Sequence, residues 1–241
     1  KDKRIQCYQL KQNSGPASAR NLALNYASGR YIAFLDSDDL WERNKLEAQL
    51  RQLMRNPRAS VCYAGAQLID DMGVDIKNAV GVPYIKGNIL KDIVYHERPI
   101  YGSASSVIVE RKKLLQTELF DETMQYSEDV DLWAHLSISS EFDYVSQPYV
   151  KIRVHASSTS RNRDWDKDLK ILLHHFHYLN KFSERYLFPY KTTYTHKIRI
   201  IALFFKYPTK SFYIMKFFKL FKKQAPSLCR QMNHHNFFSF F

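Results

Sequence analysis

Three carboxylates, Asp36, Asp38 and Asp39, close the apolar run Tyr31-Ile-Ala-Phe-Leu and give way to Leu40-Trp41. Two aspartates one residue apart suit a hard divalent cation, and such a cation can neutralise a diphosphate. Acidic turns after strands are also common as solvated turns, so the spacing alone leaves both readings open. A second acidic group, Ser127-Glu128-Asp129-Val130-Asp131-Leu132-Trp133, opens a helical stretch. The helix dipole there favours an ionised carboxylate, which makes Asp129 a candidate general base, although acidic residues also decorate helix starts for stability alone. Trp133 can pack on a ligand or fill core. His155 follows the strand-like Tyr149–Arg153 and precedes a serine-rich loop. A lone histidine is more often structural or surface-exposed than a ligand, although a neutral imidazole, like a carboxylate, is compatible with Mn²⁺. Arg20 can fork onto a phosphate or stand as a surface charge.

These residues need elements to hold them. Residues 31–35 read as a buried strand of a parallel sheet, with the carboxylates at its carboxyl end, where open α/β sheets place ligands. Upstream, Ser14-Gly15-Pro16 signals a turn, a helix runs past Leu22 and Tyr26, and Gly29 stops it. With a short strand at residues 5–10 this makes a βαβ unit. Residues 42–55 read as an amphipathic helix with Leu46, Leu50, Leu53 and Met54 on one face, ended by Asn56-Pro57. Strands are expected at 60–69, 103–109 and 142–154, a loop at 70–83, and a helix at 128–140 capped by Ser127 or its neighbours. Asp39 reads as a local cap. Gly102 and Ser103 open a small-residue loop, Gly102–Ser106, that lets a ligand approach the backbone closely.

The pattern Asn-x-Gly, Ala-Arg-Asn, then Gly-x-Tyr-Ile-x-Phe-Leu-Asp-x-Asp-Asp resembles the family-2 glycosyltransferases. Gly102–Ser106, Glu128-Asp129 and Arg153-Val154-His155 follow in the family's order over about 150 residues. The resemblance implies a Rossmann-like, A-type nucleotide-sugar transferase sheet with helices on both faces. It also implies an inverting, metal-dependent enzyme that moves a sugar from a nucleoside-diphosphate donor to a hydroxyl on a glycan or lipid-linked acceptor, as in polysaccharide biosynthesis. By the same resemblance Asp38 is the metal ligand, with Asp36 a second ligand or a ribose acceptor and His155 completing the shell of Mn²⁺ or Mg²⁺. Arg20, Asp36 and Asp38 face the donor; Gly102, Ser103, Glu128 and Trp133 lie on the acceptor side; Asp129 takes the acceptor's proton. The family's first two βα units are not legible in residues 1–12, and the chain opens on Lys1. The alternative is therefore an N-terminally truncated remnant acting at most in membrane or protein association. A haloacid-dehalogenase phosphatase also uses Asp-x-Asp, but it needs Gly-Thr where this chain has Asp39-Leu40.

The 241 residues are enough for a sizeable core, and the 45% hydrophobic content fits a globular chain. Residues 1–160 read as the partial catalytic domain and 161–241 as a basic, aromatic-rich helical region. Residues 151–241 carry 18 Lys and Arg against 4 Asp and Glu, so the whole basic excess lies there. Such asymmetry points to an anionic membrane surface or a nucleic acid, and no nucleic-acid motif accompanies it. Within 210–223, Ile214, Phe217, Phe218 and Phe221 recur at helical spacing, with Lys216, Lys219, Lys222 and Lys223 on another side. That suits either an anionic bilayer interface or packing on the domain. No run reaches the roughly 18 apolar residues of a membrane span. Three well-separated cysteines, Cys7, Cys62 and Cys229, read as reduced thiols in a cytoplasmic protein at the inner face of the cell membrane.

Overall fold

In a computed structural model the described residues are 2–96 and 100–155, with positions 166, 168 and 170 beyond them. The elements run α1 (Gly15–Tyr26), β1 (Tyr31–Ala33), β2 (Leu40–Trp41), α2 (Lys45–Arg55), β3 (Ala59–Ile69), β4 (Asp75–Gly81) and α3 (Leu90–His96). A 3-10 turn (Ala104–Ser106), β5 (Val107–Glu110), α4 (Arg111–Leu114), α5 (Glu128–Ser137) and β6 (Glu141–Arg153) complete them. Contacts group the chain into Lys1–Arg161 and Asn162–Phe241. The expected helices beyond residue 163, including 210–223, lie outside the described residues.

The sheet is mixed, in the order β1-β5-β3-β6-β2. β3 is its centre. One edge of β3 runs parallel to β6, while the other is shared between β5 at Val61–Tyr63 and β4 at Ala66–Ile69, both antiparallel. β1 pairs antiparallel with β5, which corrects the expectation of a parallel neighbour for residues 31–35. The pairing is also shorter than the apolar run: it stops at Ala33, and Leu35 is 49% exposed. Residues 5–10 form no strand, and Ile5 there is largely exposed. The expected loop at 70–83 holds β4, whose Gly81 leaves room for the Tyr101 ring; a Cβ there would sit 1.9 Å from it.

Helices cover both faces. Leu53 of α2 packs with Ala59, Cys62 and Ile108, joined by Tyr31 and Ala33. Alternation carried one residue past β1 turns Phe34 to the opposite face. There it meets Trp133 of α5 at 6.3 Å between ring centroids and Phe120 edge-on at 5.3 Å. The face of α2 differs from its apolar pattern: Lys45, Gln49 and Leu53 point inward, while Leu46 and Met54 are exposed. The cause is polar. Gln49 donates from Nε2 to the carbonyls of Cys62 and Ser106, both at 2.8 Å, and Lys45 Nζ donates to Gln49 Oε1 at 2.8 Å.

β6 is a single strand with an irregular middle. Its register to β3 jumps from Ala64–Val145 to Ala66–Val150, so residues 146–149 bulge from the ladder. Gly65 makes the bulge possible, because a Cβ there would lie 2.8 Å from the Ser146 carbonyl oxygen and 2.9 Å from that of Gln147. The second half of β6 then runs on beside β2 and delivers Arg153 and His155 to the acidic turn.

Candidate active site

The acidic turn is built from outside itself. Asp39, only 7% exposed, accepts the Ser105 hydroxyl proton at 2.6 Å and the Arg153 backbone N–H at 3.0 Å. It is thus a tertiary clamp between the turn, the 3-10 segment and β6, and the expectation of a local cap is corrected. Burial pushes the Asp39 carboxyl up to about 6 against those two hydrogen bonds, with the Asp36 and Asp38 charges adding to the rise. Ser105 Oγ also accepts the Asp36 N–H at 3.0 Å. Arg153 Nε donates to the Asp38 carbonyl, and its Nη1 to the carbonyls of Asp70 and Asp71, each at 3.0 Å.

Arg20 links this turn to the second acidic group. Its Nη2 lies 2.7 Å from Asp36 Oδ1 and its Nη1 2.7 Å from Glu128 Oε1, and its side chain is 13% exposed. Burial weakens the Arg20 charge, but Asp36 and Glu128 outweigh it and hold the guanidinium above its ordinary pKa. Burial, then the neighbouring Asp129 charge, push the Glu128 carboxyl up, and Arg20 opposes them. Of the two sequence readings of Arg20, surface charge is ruled out. Its fork is engaged by carboxylates and bridges the two acidic segments. The adjacent Asn21 pins the 120–122 segment, donating to the Phe120 carbonyl at 2.8 Å and accepting the Phe120 N–H at 3.1 Å.

Asp129 stands in the first turn of α5. Ser127 makes no side-chain cap; it sits in the left-handed region at φ 62° and offers its carbonyl to the Asp131 N–H at 3.1 Å. Asp129 Oδ1 accepts the Val130 N–H at 2.9 Å, and Oδ2 accepts the Ser103 hydroxyl proton at 2.8 Å. Gly102 at φ +89° and Ser103 at φ 53° form a sharp corner before the 3-10 turn, in place of the strand expected from 103. A Cβ on Gly102 would stand 3.0 Å from Ala66 Cβ. Contacts and two short stretches of chain therefore close a ring: Asp36 to Arg20, Arg20 to Glu128, along the chain to Asp129, Asp129 to Ser103, along the chain to Ser105, and Ser105 back to Asp36. Trp133 lies below it, 2% exposed in the core.

Of the three expected metal ligands the structure brings two together. His155 Nε2 is 3.1 Å from Asp38 Oδ2, with side chains 27% and 43% exposed. Asp36 is drawn to Arg20 instead, and no group of three His, Cys, Asp or Glu residues able to hold a metal forms among the described residues. Asp38 and His155 thus form a pair, and Asp36 stands apart from it in its ion pair with Arg20. A carboxylate and an imidazole side by side, both partly open to solvent, still fit a divalent cation that takes its other donors from diphosphate and water.

Sequence reasoning missed Ser105, Gln49 and Asn21. Serine, glutamine and asparagine carry no charge, and each acts here on a segment at least 13 residues away. The Ala19-Arg20-Asn21 motif and the Gly102–Ser106 loop carried a signal, but it concerned Arg20 in the one and the small-residue backbone in the other.

The family model described as glycosyl transferase family 2 matches residues 1–105. An uncharacterized glycosyltransferase of Rickettsia bellii is 38% identical over 160 residues, which are 66% of this chain and 22% of that protein. The UDP-Glc:alpha-D-GlcNAc-diphosphoundecaprenol beta-1,3-glucosyltransferase WfgD of Escherichia coli is 31% identical over 173 residues, 68% of this chain and 64% of WfgD. The chain thus spans less than two thirds of the length of these relatives. The crystal structure of S. aureus TarS 1–349 aligns with TM-score 0.55 and 15% identity over 85% of this chain and 56% of TarS; the same fragment in complex with UDP-GlcNAc gives 0.52 and 16% over 81% and 63%. The fold is therefore that of the A-type nucleotide-sugar transferases. Sequence match and fold agree, and the chain belongs to the family-2 glycosyltransferases.

Proposed function

We propose that the chain is the catalytic part of an inverting, metal-dependent glycosyltransferase that moves a sugar from a nucleoside-diphosphate donor to a hydroxyl of a glycan or lipid-linked acceptor. The ring joining Asp36, Arg20, Glu128, Asp129, Ser103 and Ser105 carries this reading. It brings the acidic turn and the candidate base, more than 90 residues apart in sequence, to one site. The names of two similar proteins support the substrate class: WfgD uses UDP-Glc and a diphosphoundecaprenol-linked sugar, and TarS has been crystallised with UDP-GlcNAc.

Asp38 and His155 would hold Mn²⁺ or Mg²⁺. That cation would supply positive charge to the departing diphosphate. Asp129 Oδ2 takes the acceptor's proton, and one base acting on one displacement inverts the anomeric carbon. Arg20 and Ser105 hold the two acidic segments at a fixed separation, so the reactants meet in register. Basic and aromatic residues of 210–223 would hold the enzyme at an anionic membrane where lipid-linked acceptors lie, at the cytoplasmic face. No helix among the described residues is long and apolar enough to cross a bilayer.

Asp129→Asn keeps the shape and removes the base. Transfer should fall by about two to four orders of magnitude while donor affinity, read by calorimetry, holds. Transfer within a few fold of wild type would overturn the assignment.

A further inference from the structure

The oxygen that Asp129 would use is already engaged. Oδ1 is held by the Val130 N–H, and Oδ2 accepts a hydrogen bond from the Ser103 hydroxyl at 2.8 Å. That distance lies inside the range a general base needs to the group it deprotonates, so the Ser103 hydroxyl stands where an acceptor hydroxyl must come. The placement is built. Ser103 sits at φ 53°, ψ −156°, a region that residues other than glycine rarely adopt. Gly102 at φ +89° makes the corner before it, and the buried Ser106 hydroxyl donates to the Ser103 carbonyl at 3.0 Å behind it. The backbone is fixed on both sides, and rotation about one side-chain torsion frees the hydroxyl.

Resting on the reading of Asp129 as base, we propose that Ser103 is a specificity-determining residue that shields the base from water and yields to the acceptor. In productive transfer the acceptor oxygen forms a bond to the anomeric carbon while the bond to the diphosphate oxygen breaks. That electron pair stays on the diphosphate, and the acceptor's proton passes to Asp129. In the wasteful reaction water takes the acceptor's place, and the free sugar is lost. A single water gains little by displacing Ser103, because it exchanges one hydrogen bond for another. An acceptor sugar brings several contacts to the small-residue loop and displaces it readily. The hydroxyl therefore suppresses donor hydrolysis more than transfer.

The test compares Ser103→Ala and Ser103→Gly in the full-length protein, with UDP-glucose and UDP-N-acetylglucosamine as donors and Mn²⁺ present. Nucleoside-diphosphate release is measured without acceptor, and sugar transfer with it. Both variants should raise the ratio of hydrolysis to transfer by up to about tenfold, the worth of one net hydrogen bond. Acceptor KM should fall while kcat holds, since the acceptor no longer displaces a hydroxyl. An unchanged ratio overturns the proposal, as does a rise confined to Ser103→Gly, which would trace to backbone freedom, or an equal loss of both rates. Asp129→Asn is the control for the underlying reading: if transfer survives in it, the base assignment fails, whatever the serine variants do.

Discussion

Arg20 is the residue on which the site is most dependent. A guanidinium 13% exposed and shared by two carboxylates is stable only as a set, since removing the cation leaves Asp36 and Glu128 facing each other without compensation. Arg20→Met should therefore destabilise the protein by about 3–5 kcal/mol, read from urea unfolding, and Arg20→Lys should recover only part of it because one ammonium cannot reproduce the fork. Lys45 makes a contrasting case. It is fully buried, with Nζ 4.2 Å from the Trp41 ring centroid, bonded to Gln49 and with no carboxylate partner among the described residues, and burial lowers its pKa to about 7. Below pH 7 the lysine is charged in both states, and the burial penalty is complete. Above it the folded state sheds the proton, while the unfolded chain keeps it up to about 10.5, so stability rises with pH across that window. The rise should be on the order of a few kcal/mol, and Lys45→Met should flatten it between pH 7 and 9 and be the more stable protein at pH 7. Urea midpoints at the two pH values decide the matter.

Among the elements, the bulge in β6 has the greatest reach. A methyl group on Gly65 would press on the backbone of Ser146 and Gln147, which has no side-chain freedom with which to retreat. Gly65→Ala should cost about 1–3 kcal/mol of stability and, by shifting Val150–Arg153, weaken metal-dependent donor binding as well. Calorimetry at a temperature where the variant is folded separates the two effects. Much of this element scale was legible in the sequence. The helix after Pro16, the β3 strand and the helix at Glu128 follow from turn signals and local apolar period. The antiparallel pairing of β1 was not, because strand direction is set by a partner 77 residues away and leaves no local trace. Nor was the inward face of α2. Apolar periodicity assigned Leu46 and Met54 to the core, whereas the carbonyls of Cys62 and Ser106 required Gln49 there. In the site, charged residues announced themselves, but the pairing of Asp36 with Arg20 of α1 did not, because it joins a turn to a helix through tertiary packing.

At the scale of the molecule, the charge distribution and the sheet topology have separate consequences. The basic excess lies in residues 151–241, and the lysines of 210–223 are the part proposed to meet an anionic bilayer. Each lysine near such a surface is worth about 1 kcal/mol at low salt. Changing Lys216, Lys219, Lys222 and Lys223 to glutamine should abolish salt-sensitive co-sedimentation with phosphatidylserine vesicles, and indifference to these changes and to lipid charge would sink the idea. The topology speaks to folding time. β3 and β6 are parallel neighbours joined residue to residue across more than 80 positions of chain, from Ala59 with Glu141 to Ile69 with Arg153. Loops of that length must close before the pair is rewarded, so this ladder belongs late on the route, after the local β3–β4 hairpin and α2 have formed. Asp38 meets His155 only through that ladder. A chain still emerging or refolding therefore holds a sheet in which Asp38 and His155 are still apart, and the metal binding proposed for that pair would report the final act of folding.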